Sequence, residues 1–542
     1  MKKRIATLMM SGVLALSVLS GCGGQGGSTT TAAPAQSQAA GGAETTEAAN
    51  LGNTAVAPES ADVKVKDSIV IAMTNDMPSP APYGSNNTVT AMLTNSTFNR
   101  LVKINSDNEI VPELATEWSG NEDSTVWTFK LRNDVDFQNG EHFTAADVAF
   151  TFDYASSTQN EGITFPINGM DQLDKVETPD DYTIIFHLKN TCADWPYYAA
   201  QKIMSKATIE KEGIEKGGVI GTGPYKFVSY EPGVKWVMER NENYFGELPK
   251  TRQVTFTVIS DGNARALSIE SGDTDVVFDP DPSDVAKFLD NPEYNVYSHQ
   301  NLSTVFMGIN CARVGADPQI RKALAMAINR DDIIAVCYED GKLGSPAFNY
   351  INAASPLHAE VTAIPYDPEG AKEILKSLGY DENNKLEFRL CTANKFLGLA
   401  EIIQANLAAV NVNVTVSEFS QSGYSNSLRE DGKYDAYMQQ SSSQGAIMNI
   451  VTRFFRTGGQ SNVMNYTSPE LDAMMDEAVQ SKDLDEMAEK YAKVQQFLAD
   501  DVPAVPLVDQ YLWCVGTKNF YGVDLNNQYY YVDFTNCYVV EE

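Results

Sequence analysis

Side chains able to do chemistry are scattered thinly along this chain. The four histidines (His142, His187, His299 and His358) stand far apart and never at the i, i+4 spacing that puts two imidazoles on one helix face, so a dedicated metal site is not expected. There is no Gly-x-Ser-x-Gly elbow and no His-Glu-x-x-His run, the usual frames for a serine nucleophile and for a zinc-bound water. Asp273 and Asp275 are spaced like a carboxylate pair, but they follow a helical stretch, where solvated acids at a turn are the expected reading. Cys192, Cys311, Cys337, Cys391, Cys514 and Cys537 show no close-paired spacing, which argues against a zinc knuckle or a redox pair. Outside a membrane some could form disulfides, and Cys514 with Cys537 is the best guess from proximity. No catalytic residue, metal or cofactor is expected. The chemistry left to the chain is binding.

One cysteine stands apart. Lys2, Lys3 and Arg4 precede an apolar run, Ile5 to Leu19, that is too short to be a comfortable membrane span. Leu19-Ser20-Gly21-Cys22 then resembles the lipobox of bacterial lipoproteins. Small residues before the cysteine open the bond to a signal peptidase, and the Cys22 thiol carries diacylglycerol, whose two acyl chains anchor firmly where one is marginal. Residues 1–21 are read as the signal peptide, and their removal takes away three positive charges. Residues 22–60, rich in Gly, Ser, Thr, Ala and Gln, cannot bury a core and are read as a flexible tether.

The body is long enough for two or three domains, since 542 residues exceed what one core supports, and its composition is globular at 43% hydrophobic and 21% charged. A formal net charge of −32 argues against a nucleic-acid partner.

The elements that must position any binding group read clearly. Asp67 to Thr74 is an opening strand, followed by the loop Pro78 to Asn87. Val126 to Leu131 alternates as a strand, Phe137-Gln138-Asn139-Gly140 turns, and Thr144 with Asp147 caps a helix. Val176 to Lys189 is a hairpin. Gly221-Thr222-Gly223-Pro224 makes a tight turn before a strand from Tyr225, a second from Lys235 to Arg240 and a third from Gln253 to Ile259. Asp317-Pro318 and Asp367-Pro368 begin helices, and two strands, Leu386 to Cys391 and Asn413 to Phe419, enclose a helix in a βαβ unit. Tyr434 to Gln440 is a strand, and Val502 to Leu507 another.

The strings GTGPYKFVSYEPG, ERNENYFGELP, ELATEWSGNEDSTVWTFKLRNDVDFQNGEHFTAADVAFTFDY and PQIRKALAMAINRDDII resemble the extracellular solute-binding proteins of the dipeptide/oligopeptide class, family 5, the ligand-capturing lipoproteins of ABC importers. The resemblance spans about residues 65 to 542. It implies an α/β, periplasmic-binding-protein-like two-lobed fold with an extra inserted domain: lobe I from 61–103, 218–308 and 505–542, the inserted domain from 104–217, lobe II from 309–504. Chain crossings between the lobes are expected near Ser303–Asn310 and Val502–Leu507. The implied partners are a peptide or other polar small solute, an ABC permease with its ATPase, and the membrane through the lipid on Cys22. The protein is expected to act as a monomer on the outer face of the cytoplasmic membrane.

The resemblance also implies ligand contacts. The loop after the first strand lines the cleft in the family, which points to Tyr83, Ser85 and Asn86, and the loop after Leu386–Cys391 points to Asn394, for which helix capping is an equal alternative. The loop Ser441-Ser442-Ser443-Gln444-Gly445 departs from the pattern, because peptide-binding members usually carry an acid there for the peptide's α-amino group. Ser441, Ser442 and Gln444 offer hydroxyls and an amide instead, and Asp435 falls where the family pattern is structural. A solute without a free α-amine at this point is therefore expected: a blocked or longer peptide, an oligosaccharide, or another polar solute. Two further classes stay open. A lipid-anchored hydrolase would show activity on ester, glycoside or peptide substrates; an adhesion or signalling protein would lack a permease and ATPase encoded beside it.

Overall fold

The computed structural model describes residues 49–50 and 63–541, apart from 78, 86–87, 106–108, 164–166, 168, 279, 281, 354, 356, 421–422, 425–426, 428–432, 442–448 and 527–530. Cys22, Asn86, Ser442 and Gln444 lie outside the described residues, as do the leader and most of the expected tether.

The strands that build the two lobes are, in chain order, β1 (Ser68–Met73), β6 to β8 (Tyr225–Glu231, Lys235–Arg240, Gln253–Val258), β9 (Val276–Phe278), β10 (Tyr294–Ile309), β11 (Gly344–Pro346), β12 (Leu386–Ala393), β13 (Val412–Phe419), β14 (Ala436–Gln440) and β15 (Ala504–Thr517). Between β1 and β6, strands β2 to β5 (Ala115–Gly120, Val126–Leu131, Leu173–Asp180, Thr183–Leu188) form a separate four-stranded sheet in the order β2-β3-β5-β4. All other strands named above join one twelve-stranded sheet, ordered β13-β12-β14-β10-β15-β9-β1-β8-β7-β6, with β11 added to β15 and Ala49–Asn50 added to β10 at Ser298 and Tyr297. That pairing places a two-residue strand inside the stretch expected to be tether. The chain has a free edge to pair there, because β14 covers β10 only from Val305 onward.

The topology is that of two lobes joined by two long strands. In lobe II, β12 runs parallel to both β13 and β14, with the helix Leu397–Ala408 crossing from β12 to β13. In lobe I, β1 runs parallel to β8 and β9. Among the described strands, β10 and β15 run from one set of parallel strands to the other, pairing antiparallel from Tyr294–Thr517 at one end to Gly308–Ala504 at the other. Their ladder breaks between Gln300, opposite Tyr511, and Thr304, opposite Asp509. A bulge of this kind releases ladder bonds and bends a strand.

Two of the strings that carried the resemblance meet at one junction. Gly221 and Gly223 lie against the end of helix Thr88–Thr97, where a Cβ on Gly223 would stand 2.5 Å from the Thr97 carbonyl carbon. Gln138, from the Phe137–Gly140 turn, donates from Nε2 to the carbonyl oxygens of Thr97 (2.9 Å), Gly223 (3.2 Å) and Tyr225 (2.7 Å). These motif residues fasten the four-stranded domain to lobe I. The Thr144 cap forms as expected, with Asp147 Oδ2 accepting from the Thr144 N–H at 2.9 Å.

Two sequence expectations need correction. None of the six cysteines beyond Cys22 is in a disulfide, Cys514 and Cys537 included. Both are buried in the lobe I core, where Cys537 Sγ lies 3.4 Å from the Gly522 carbonyl oxygen, so nearness in sequence did not translate into a bond. Asp275 is not a solvated acid: it is buried, accepts from the Val70 N–H at 2.8 Å and pairs with Lys66 at 2.7 Å, pinning β9 to β1.

Candidate functional site

The carboxyl ends of the parallel strands point at each other. Strand β9 descends its partner β15 from Gly516 toward Cys514, so β9 and β1 end facing the crossing. In lobe II, β14 runs along β10 from Ile309 toward Val305, so β12 and β14 also end facing it. Ligands of open α/β sheets bind outside the carboxyl ends of the strands, and here two sets of such ends face one another across a floor formed by β10 and β15.

The floor is polar. At the end of β14, the Ser441 N–H donates to the Thr304 carbonyl oxygen at 2.9 Å, and the Ser303 hydroxyl donates to the Ser441 carbonyl oxygen at 2.8 Å. Gln440 Nε2 donates to Ser303 Oγ at 3.0 Å and to Gln510 Oε1 at 2.5 Å, while its own Oε1 accepts from Lys395 Nζ at 2.6 Å. Lys395 stands just past β12, so one chain of bonds links the ends of β12 and β14 to both crossing strands. Asp509 sits in the middle of the crossing, 7% exposed, with Oδ1 accepting from the Thr304 hydroxyl at 2.6 Å. Asn352 and the Ala353 N–H also donate to it, and burial pushes its carboxyl up to about 6 despite these bonds and the His358 ring nearby. Beneath Thr304, Phe306 packs edge-on against Phe454 and Tyr350, which holds this stretch of β10 in place.

The sequence-predicted residues fall in different places. Ser441 is buried and bonded into the floor. Asn394 is exposed at the carboxyl end of β12, its side-chain oxygen accepting from the Lys395 N–H at 3.0 Å. Tyr83 is buried, with its ring in the core shared with the inserted domain and its hydroxyl donating to the Lys202 carbonyl oxygen at 2.8 Å. Ser85 is partly exposed two residues on. Ser303, Thr304, Lys395, Gln440, Asp509 and Gln510 were not singled out from sequence. Asp509 had a signal: it is an acid inside the apolar run Val502 to Trp513.

Asp435 is also a buried acid, just before β14 at the end away from this floor, and it is fully engaged. Its carboxylate meets Arg313 Nε at 2.6 Å and Arg389 Nε at 3.2 Å, and accepts from the Arg389 N–H at 2.9 Å. Among the described residues, no group of three His, Cys, Asp or Glu side chains could hold a metal ion, and no helix is long and apolar enough to cross a membrane.

Residues 109–462 match the family described as bacterial extracellular solute-binding proteins, family 5. The glutathione-binding protein GsiB of Pectobacterium atrosepticum is 27% identical over 473 residues, covering 84% of this chain and 90% of that protein. Heme-binding protein A of Haemophilus influenzae is 25% identical over 446 residues, covering 76% and 81%. The periplasmic binding protein DppA of Helicobacter pylori, solved with the peptide STSA, superposes with a TM-score of 0.76 at 23% identity, covering 88% of this chain and 99% of that one.

Proposed function

This chain belongs to the family 5 bacterial extracellular solute-binding proteins, and from that premise we propose that it captures a polar, peptide-like solute outside the membrane, tethered by lipid on Cys22, and hands it to the permease and ATPase of an ABC importer. The observation that carries the reading is the facing carboxyl ends of two sets of parallel strands in one sheet, over a polar floor of two crossing strands broken in register at Gln300–Thr304. Peptide-like solutes bring many backbone donors and acceptors that need partners once water is excluded, and the floor supplies hydroxyls, amides and a carboxylate. A hinge at the register break lets closure signal occupancy to the permease.

Relatives of this chain carry names for solutes as unlike as glutathione and heme, so the fold sets capture and the floor sets the solute. An oligosaccharide is the second reading, favoured by the uncharged sequence from Ser441 to Met448.

The test uses the full chain, purified with and without a tryptic digest of casein. Binding at about a hundred times the dissociation constant adds roughly 2.7 kcal/mol and raises the unfolding midpoint. Small-angle scattering on the same samples is expected to show a smaller radius of gyration when bound. An unchanged profile at a saturating, stabilising concentration counts against closure.

A further inference from the structure

We propose that the groove between the inserted domain and lobe II is a second binding site, for a neutral, hydroxyl-rich solute the size of a short oligosaccharide. This site lies apart from the crossing strands and does not depend on solute capture there.

The groove is a cavity of about 1060 Å³, just above the usual range for small-molecule sites. Gln172, Asn190 and Thr191 of the inserted domain line one side, and Thr452 and Gln480 of lobe II line the other. The two sides are held together. Phe186 and Trp195 of the inserted domain share one core cluster with Phe455 and Tyr491 of lobe II, and the Ser124 hydroxyl donates to the Lys482 carbonyl oxygen at 3.1 Å. The groove is also distinct from the floor. Thr452 stands on the helix Asn449–Phe455, whose Phe454 packs against Phe306 of β10, and none of Ser303, Thr304, Gln440, Asp509 and Gln510 lines the groove.

Charge decides the class of solute. The cations in the lining are already engaged: Arg456 pairs with Asp476 at 2.6 Å, and Lys189 Nζ donates to the Asp171 carbonyl oxygen at 2.7 Å. An anion would have to compete with these contacts. Asp194 is the exception. It lines the groove at 7% exposure and does not cap the short helix Trp195–Ala199. Among the described residues its one side-chain donor is the Cys192 thiol, at 3.2 Å. A thiol is a weak donor, and a buried carboxylate short of strong donors is unfavourable. Burial holds this carboxyl above the ordinary carboxylate range. The groove thus offers one under-used acceptor between two sides of amides and hydroxyls. A cation would serve the carboxylate but leave the amide donors unmatched, because it only donates. Sugar hydroxyls donate and accept, so one ring serves both.

The experiment is isothermal titration of the full chain with maltotriose, cellotriose and triacetylchitotriose, with spermidine as a cationic probe and tryptic casein digest as the probe of solute capture. At least one trisaccharide is expected to bind the wild type more tightly than about 1 mM. Asn190→Ala and Gln480→Ala truncate exposed side chains on opposite sides of the groove, so neither is expected to disturb the fold, which circular dichroism checks. Each is expected to weaken that binding about fivefold, the contribution of one hydrogen bond. A trisaccharide that binds both variants as tightly as the wild type overturns the assignment and points to the floor as its site. Weakening in one variant alone overturns it too, because the site needs both sides. Spermidine binding without trisaccharide binding overturns it in favour of a cation. If no trisaccharide binds, the assignment falls whatever the digest does, and digest binding then leaves solute capture standing.

Discussion

Asp435, just before β14, and Asp509, on β15, are buried carboxylates beside the two strands that flank β10, yet they are treated in opposite ways. Asp435 is held between two guanidinium groups, and its side chain is 3% exposed. Asp509 has only neutral donors and His358 nearby. The same side chain, at nearly the same depth, is a structural clasp in one place and an unbalanced charge in the other. The difference teaches that burial alone does not decide what an acid does. The partners do.

The largest effect expected from breaking this contrast is at Asp435. Asp435→Ala leaves two arginines without their carboxylate and the Arg389 N–H without an acceptor. Removing one member of a buried pair costs about 3 to 5 kcal/mol, and the partly exposed arginines place this site near 3. Denaturant unfolding of wild type and variant measures it. A loss below about 1 kcal/mol would mean that Asp435 is not a clasp.

The opposite sign is expected at Asp509. Its carboxyl rises from an ordinary 3.8 to about 6 in the folded chain. Between those values the folded protein holds a proton that the unfolded chain has released, so stability falls as pH rises through that window and is level above it. Asp509→Asn lacks this fall. It is expected to be about 2 kcal/mol more stable than wild type at pH 7, and to lose that advantage by pH 4. Unfolding midpoints from pH 4 to 8 test it, and a variant less stable than wild type at pH 7 would show that the charge is balanced after all.

Thr304→Val sharpens the point. The hydroxyl that donates to Asp509 becomes a methyl of similar size, and a hydrogen bond to a charged group contributes about 1.5 kcal/mol. The loss should appear at pH 7 and shrink by pH 5, where the carboxyl is largely protonated. A loss independent of pH would point to packing against Phe306 instead.

Much of this contrast was hidden in the sequence, although the frame around it was not. The alternation in Tyr225–Glu231 and Gln253–Val258, the Asp-Pro helix starts at Asp317 and Asp367, and the βαβ unit from Leu386 to Phe419 all stand where periodicity and capping put them. These signals are local, carried by side-chain period and turn chemistry. The floor is assembled from residues more than a hundred positions apart, such as Thr304 with Asp509 and Ser303 with Gln440, and no local rule reports that. Family resemblance pointed to loops, and Ser441 does lie in the floor, but the Tyr83 ring is packed in a core cluster. The disulfide guess failed for the same reason: separation along the chain is not distance in space.

The smallest effect separates the two arginines that hold Asp435. Arg313 Nε stands 2.6 Å from Oδ1 with 32% of its side chain exposed, whereas Arg389 Nε stands 3.2 Å from Oδ2 with 44% exposed. Arg389 also donates its backbone N–H to the same Oδ2, and truncation to alanine keeps that bond. Arg389→Ala therefore removes a longer and better solvated contact, in the range where surface ion pairs contribute about 0.5 kcal/mol or less. Arg313→Ala removes the shorter contact and is expected to cost more. Combining each with Asp435→Ala in a double-mutant cycle isolates the pair terms, and the Arg313 coupling should exceed the Arg389 coupling. Equal couplings would mean that the clasp is shared evenly. Asp435 would then keep a charge partner after losing either arginine, and its contrast with Asp509, which has none to lose, would be sharper still.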